Sequence, residues 1–334
     1  MNRWGKKWIL RGMSKEGLLR PARGLFLRRK TLVLMYHEVL EDDREIEAWT
    51  VVKETEFRRQ MEYLKRNFQV IGLPEALQLM LDPGPVQGNH AVVTFDDGYS
   101  GNRRVAFPIL ESLGIPASIF VATGAVENQA LYWYDRVILE FQDSSVGVQL
   151  DLEPMRLNKY TFPKGMAGEN RWEQIRKLLE DLKALPPDDR EKAVAGIQEQ
   201  TGSDGGSSSR DLAPLSYAEI RELAESRLIT FGAHSHSHEI LVQIGPEEIR
   251  KSIGQSRELL GKWTERKIRH FSYPNGNYNA EVMAMVKGEG FECALTTESR
   301  PWALRDSAYS IPRIGIGRYD GVEIFKAKVS GIVG

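Results

Sequence analysis

From residue 31 onward, short apolar runs rich in β-branched residues alternate with segments of helical period. Thr31–Tyr36, Ala91–Phe95, Ala117–Ala122, Leu228–Phe231, His270–Tyr273 and Glu292–Thr297 are brief, apolar and flanked by Gly, Pro or charged residues, as buried strands are. Between them, Glu54–Phe68 places Phe57, Met61, Leu64 and Phe68 on one helical face. Arg103–Leu113, Tyr217–Ser226, Pro246–Trp263 and Ala280–Gly288 repeat that period, and Pro246 followed by Glu247 and Glu248 suits a first helical turn. Strands alternating with helices predict a parallel sheet with helical crossovers, either a barrel or a doubly wound sheet.

One stretch breaks the rhythm. Residues 124–215 hold two amphipathic patterns, Trp172–Ala184 and Asp188–Gln200, and a loop-like Gly/Ser-rich run, Gly202–Ser209. We expect an insertion on the main fold rather than an independent domain. Residues 1–30 form a basic leader, with ten Lys and Arg against the single acid Glu16 and with Trp4, Trp8, Ile9 and Leu10 interleaved. The longest apolar run nearby, Leu32–Tyr36, falls short of the roughly 7–15 residues of a signal peptide and the ~20 of a spanning helix. The expectation is a cytoplasmic protein whose leader either lies on an anionic membrane surface or is merely solvated. Gly5, Gly12, Gly17, Pro21 and Gly24 speak against one continuous amphipathic helix there.

Composition narrows the class. With 41% apolar and 27% charged residues the chain reads as globular, and its net charge of -1 argues against a chain-wide nucleic-acid binder. Cys293 is the single cysteine, so no internal disulfide forms.

Three clusters carry candidate chemistry, each following an expected strand. In Thr94-Phe95-Asp96-Asp97-Gly98-Tyr99, two adjacent carboxylates repel unless a cation or hydrogen bonds neutralise one; alone, Asp-Asp-Gly is also an ordinary turn. In His234-Ser235-His236-Ser237-His238, three of the chain's six histidines fall within five positions. His234 and His238 would share a face if this stretch were one helical turn, with neutral imidazoles able to bind Zn²⁺; His236 would face outward or support them. In His270-Phe271-Ser272-Tyr273-Pro274-Asn275-Gly276, a strand runs into a tight turn whose backbone N–H groups could hold an oxyanion.

Together the clusters resemble the polysaccharide deacetylases of carbohydrate esterase family 4, the NodB-homology group. Thr94–Gly98 and His234–His238 match the first two family motifs, and Tyr273–Gly276 matches the third approximately, over roughly residues 31–123 and 228–320. Tyr36-His37 and Pro312-Arg313-Ile314 look like segments of the exopolysaccharide-associated branch. The resemblance implies a distorted (β/α) barrel over residues 31–334, interrupted by the helical insertion. It implies a hydrolase of a sugar's carbon–nitrogen bond, an N-deacetylase, with a divalent metal (Zn²⁺ by preference) on Asp97, His234 and His238 and Asp96 as base. It further implies an oxyanion donor near Asn275 and a carbohydrate cleft touched by Tyr99, Tyr273 and Pro274.

The chain departs from the family pattern in two places. Ser272 stands where many members carry an Arg that steers the catalytic Asp, so Arg269 or Arg313 becomes the candidate substitute. No His follows His270, so the family's general acid has no counterpart; His37 is the first candidate, His270 the second, and His37 could equally pack beneath the site. Trp133 and Tyr134, with Asp135, open the insertion; Trp133 either stacks on sugar or anchors the insertion. Two other functions stay open at this level: deformylation of a lipid-linked amino sugar, and a non-catalytic carbohydrate-binding protein.

Overall fold

A computed structural model describes residues 16–81, 89–143, 145, 147–202 and 211–333. The strands are β1 (Lys30–Tyr36), β2 (Glu38–Leu40), β3 (Val51–Lys53), β4 (Gln69–Val70), β5 (His90–Phe95), β6 (Ala117–Val121), β7 (Val148–Asp151) and β8 (Lys159–Phe162). They continue with β9 (Ile229–Ala233), β10 (His270–Ser272), β11 (Cys293–Leu295), β12 (Trp302–Ala303) and β13 (Ile314–Gly315). The main sheet runs β11-β10-β9-β6-β5-β1-β12, with β4 beside β5 and β13 beside β1. Every pairing in it is parallel except β1 with β12.

Side chains of β5 and β6 are buried on both faces, which is why these strands read as unbroken apolar runs and not as alternating ones. Helices such as Glu54–Asn67 and Pro246–Thr264 cover the outside. Phe57 from the first of these meets Tyr36 edge-on at 5.3 Å, and the Tyr36 hydroxyl donates to Gln60 at 2.9 Å. The sheet curls shut through the segment 308–316. Ile311 exchanges backbone bonds with Ala294 and Thr296 on the β11 side, while Ile314 pairs with Leu34 of β1. The result is a distorted (β/α) barrel.

Register decides where the site falls. Tyr36 lies opposite Phe95, and Val121 opposite Ala233. The residues that follow, His37, Asp96 and His234, therefore emerge together at the C-terminal rim, where barrels of this kind carry their chemistry. Glu38 locks that rim by accepting from the backbone of Val39 at 2.7 Å and Gly101 at 3.3 Å. A Cβ on Gly101 would fall 2.0 Å from the Glu38 carboxylate, so only glycine allows this approach.

The insertion contains helices Trp133–Glu140, Gly168–Lys183 and Pro187–Thr201 and an antiparallel β7–β8 hairpin that its period did not announce. Its apolar cluster, with Phe141 stacked on Phe162 at 4.0 Å, is shared with Leu40, Val51 and Tyr99 from the barrel. Of the Gly/Ser-rich run, residues 203–209 lie outside the described residues, as does the leader up to residue 15. The remainder of the leader corrects our expectation. Glu16–Phe26 is helical despite Gly17, Pro21 and Gly24, because Leu19, Arg23 and Leu27 are buried against the barrel. No described helix is long and apolar enough to cross a membrane.

Candidate active site

Asp97, His234 and His238 bring one ligand atom each within 4.8 Å of one another. Asp97 Oδ1 lies 3.3 Å from His234 Nε2 and 3.2 Å from His238 Nε2. The two histidines do not share a helical turn, as the i, i+4 spacing suggested. After β9 the chain forms a loop in which Ser235 (φ 62) and His238 (φ 56) are left-handed, and that reversal turns both rings inward. Asp97 (φ 71) and Asn275 (φ 55) are left-handed too, so four of the eight such non-glycine residues among those described surround the site. Such conformations persist where the surrounding structure holds them and they cluster at functional sites.

Each member of the trio is held from behind. His234 Nδ1 lies 2.7 Å from the Ser272 carbonyl, which can only accept, so Nδ1 carries the proton and Nε2 faces Asp97. Tyr134 donates to Asp97 Oδ2 at 2.9 Å and Tyr132 to the Asp97 carbonyl at 2.5 Å. Those two rings stack on each other at 5.1 Å, and each lies 5.3 Å from the His238 ring. Burial acts to raise the Asp97 pKa, but His238 and the hydrogen bonds from both histidines hold it well below the usual carboxylate value. Burial acts to lower His234, and the charges of Asp96 and Asp97 more than offset this. With Nδ1 committed to Ser272, the Nε2–Asp97 contact needs either a second ring proton or a cation in its place. That donor set, two imidazole nitrogens and one carboxylate oxygen, fits a divalent metal.

Asp96 is served differently. Arg313 grips it in a fork, Nη1 to Oδ1 at 2.7 Å and Nη2 to Oδ2 at 2.6 Å. The remaining donors reach Thr94 Oγ1 (3.2 Å), Ser272 Oγ (2.9 Å) and, from Nε, the Thr296 carbonyl (2.9 Å). Burial acts to raise the Asp96 pKa, but the Arg313 charge, with His234 and His37 beyond it, leaves the carboxyl below its ordinary value. Arg269, the other candidate for this task, pairs with Glu292 on the surface, 49% exposed. The small Ser272 side chain both leaves room for Arg313 and bonds to it.

A cavity of about 550 Å³ opens over these groups. His37, Trp49, Trp133, Tyr134, Trp172 and Asn275 are among its walls. Burial lowers the His37 pKa, with Asp97 and Asp96 acting the other way; its Nδ1 is buried without a partner, and its ring lies 5.7 Å from Trp49. His270, two residues before Ser272 in β10, is buried and does not line the cavity, which argues against it as the acid. Trp133 answers to both of its readings, since it lines the cavity while the Arg190 guanidinium lies 5.1 Å from its ring. Tyr99, Tyr273 and Pro274 are buried and are not among the residues that line the cavity. The Tyr99 hydroxyl instead donates to buried Asp135 at 2.8 Å, and that of Tyr273 to the Tyr309 carbonyl at 3.0 Å. Tyr132, Trp49 and Trp172 were missed. Trp49 and Trp172 stand outside the motifs, and Tyr132 is told from a core aromatic only by its distance to Asp97.

The turn after β10 presents Asn275. Gly276 and Asn277 commit their backbone N–H groups to Tyr273 and Pro274, whereas Asn275 makes no such bond among the described residues. Gly276 (φ 77) is required, because a Cβ there would lie 2.0 Å from Thr297 Oγ1. His236 faces away from the cavity, 2.9 Å from Thr123 Oγ1 and 3.2 Å from Gln255.

Comparison with known proteins agrees with this geometry. The family model described as polysaccharide deacetylase matches residues 84–183 and 198–294, more than half of the chain. YxkH of Bacillus subtilis (strain 168), named as a polysaccharide deacetylase, is 19% identical over 288 residues, covering 86% of this chain and 71% of the relative. Among solved structures, the Streptococcus pyogenes deacetylase PplD in complex with acetate superimposes with a TM-score of 0.60 at 17% identity, covering 90% of this chain and 98% of that one. IcaB from Ammonifex degensii does so with a TM-score of 0.57 at 18% identity, covering 90% and 97%. At these identities the structures speak for the fold, while the family model speaks for membership. The chain belongs to the polysaccharide deacetylase family, carbohydrate esterase family 4, whose members are carbohydrate N-deacetylases that hydrolyse a carbon–nitrogen bond.

Proposed function

We propose that the protein is a metal-dependent hydrolase that removes N-acetyl groups from an N-acetylated glycan, of the exopolysaccharide type suggested by Tyr36-His37 and Pro312-Arg313. The observation that carries this reading is the division of labour between adjacent carboxylates. Asp97 points at two imidazoles, while Asp96 is held ionised by Arg313 and kept out of that trio.

Asp97, His234 and His238 would hold Zn²⁺ or another divalent ion. Such an ion supplies activation of water and polarisation of the acyl carbonyl. Asp96 takes the proton from the attacking water, its two oxygens fixed by the fork from Arg313. The backbone N–H of Asn275, without a backbone partner among the described residues, donates to the developing oxyanion in this reading. His37, on the cavity wall, is the group we assign to the leaving amine; with its pKa lowered it must first take up the proton that Asp96 removes from the water and then pass it on. Trp133 offers the sugar an apolar plane whose far side is occupied by Arg190.

The test is metal content together with acetate release from N-acetylated oligosaccharides, for wild type, Asp96→Asn and His234→Ala. We expect about one zinc per chain in wild type and in Asp96→Asn, by the tetrahedral donor count. Turnover should fall below detection in both variants, with metal lost only from His234→Ala. Metal without acetate, but with formate from N-formylated sugars, would shift the acyl group. A folded wild type that takes up no metal would overturn the proposal.

A further inference from the structure

We propose that the basic face around helix Glu16–Phe26 docks the protein on an anionic lipid bilayer, with the catalytic cleft turned away from the lipid. The helix is fixed to the barrel by Leu19, Arg23 and Leu27, all buried. Its outer side carries Leu25, at 76% the most exposed large hydrophobic among the described residues. Arg20, Arg28 and Arg29 are exposed beside it in the chain, and no described carboxylate pairs with any of them. Residues 16–30 hold five basic side chains against Glu16, whereas the whole chain balances 45 against 46. The positive charge is therefore local.

Charge alone would suit any polyanion. An exposed leucine among the arginines favours a surface that takes both, since an anionic bilayer offers headgroup phosphates above an apolar boundary. The position of the patch supplies the orientation. Arg23 donates to Tyr63 at 2.9 Å, near the C-terminal end of helix Glu54–Asn67, where the crossover returns to the start of the strands. Lys30 begins β1, a strand of seven residues, and His37 follows its far end in the cavity wall. At ~3.3 Å per residue, the patch and the cleft lie about 20 Å apart at opposite ends of the barrel. A molecule adsorbed through Leu25, Arg28 and Arg29 presents its cleft to solvent. Granted the deacetylase reading above, its substrate is a glycan arriving from the aqueous side and not the headgroup of a lipid in the same leaflet.

The experiment uses the full chain and vesicles of phosphatidylcholine, alone or mixed with phosphatidylserine. We expect binding to the mixed vesicles only, reversed by high salt. It should weaken at least about tenfold in the folded double variant Arg28→Gln with Arg29→Gln, from the loss of two surface cations. Leu25→Ser should weaken it severalfold. For orientation, a fluorophore on Gly24→Cys, where an added side chain meets nothing within 4 Å, should be quenched by lipid-borne quenchers. One on Ser299→Cys at the cavity mouth should not be, and buried Cys293 does not compete for label. Absence of binding to anionic vesicles, undiminished binding by the double variant, binding to heparin alone, or quenching at Ser299→Cys would each overturn the proposal. None of these readouts requires turnover, so they stand or fall apart from the deacetylase assignment.

Discussion

All five N–H groups of Arg313 have an acceptor, and two of them fix the plane of the Asp96 carboxylate. A lysine would keep the charge but lose the fork, so Arg313→Lys separates electrostatics from orientation. We expect kcat to fall about 10²-fold with KM and metal content little changed, as for a reacting group displaced by about 1 Å. Ser272→Ala removes an acceptor for Arg313 and a long, 3.3 Å bond to Asp96 but leaves the fork in place, and should cost less than Arg313→Lys. Steady-state kinetics with metal analysis check both; an Arg313→Lys enzyme as fast as wild type would remove Arg313 from the machinery. The trio and Asp96 stood out because two carboxylates are adjacent and three of only six histidines fall within five positions. The partner of Asp96 was open between Arg269 and Arg313, since 217 positions separate Arg313 from Asp96 and local pattern carries no distance over that span. For the same reason Tyr99 and Tyr273, which look like site residues from their neighbours, proved to be core.

At the level of elements, the six expected strands and the helices expected outside the insertion lie within a residue or two of those observed, while β2, β3, β4, β12 and β13 and the helices Leu73–Leu81, Trp133–Glu140 and Val322–Val329 were not read. Each barrel strand is apolar on both faces and each outer helix carries one apolar stripe. What failed to show was geometry imposed from elsewhere. The His234–His238 stretch is a left-handed loop rather than a helical turn, and the β7–β8 hairpin is only four residues per strand, too short for period to register. The insertion shows the same dependence on distant contacts. Arg190, in the first turn of helix Pro187–Thr201, donates to the carbonyls of Leu182 and Leu185 at the end of the preceding helix and lies against Trp133. It thus closes a helix terminus, joins two helices and backs one cavity wall. Arg190→Met keeps the stem and deletes the donors, leaving buried carbonyls unpaired at about 1–3 kcal/mol. We expect urea unfolding to show a loss of that size, and KM for oligosaccharide to rise severalfold with kcat nearly constant. A stability loss with unchanged KM would mean that Trp133 only anchors the insertion.

Over the whole molecule the barrel separates its rim and its interior by role. Left-handed residues, adjacent carboxylates and committed histidines gather at the C-terminal rim, where the surrounding loops hold them in place. Beneath that rim the packed interior is expected to answer for stability alone, and His270 is the group that tests this. It is buried at the start of β10 with both ring nitrogens unpartnered, and burial pulls its pKa down to about 4. Above the unfolded value of about 6.5 the ring is neutral in both states and has no effect on the equilibrium. As pH falls from there toward 4, the unfolded chain binds a proton that the native state refuses, so stability declines with falling pH. The full penalty is about 3 kcal/mol, and about 2 kcal/mol of it is present by pH ~5. His270→Gln removes the titration without touching the rim. Unfolding free energies measured for both proteins at neutral and at mildly acidic pH isolate this contribution, because the shared groups cancel in the difference. Between those conditions the gap should move toward the variant by about 2 kcal/mol, while metal content and kcat stay at wild-type levels. A gap independent of pH would mean that His270 is reached by water or finds a partner. A loss of metal on the substitution would mean that the buried layer beneath the rim also positions the histidines.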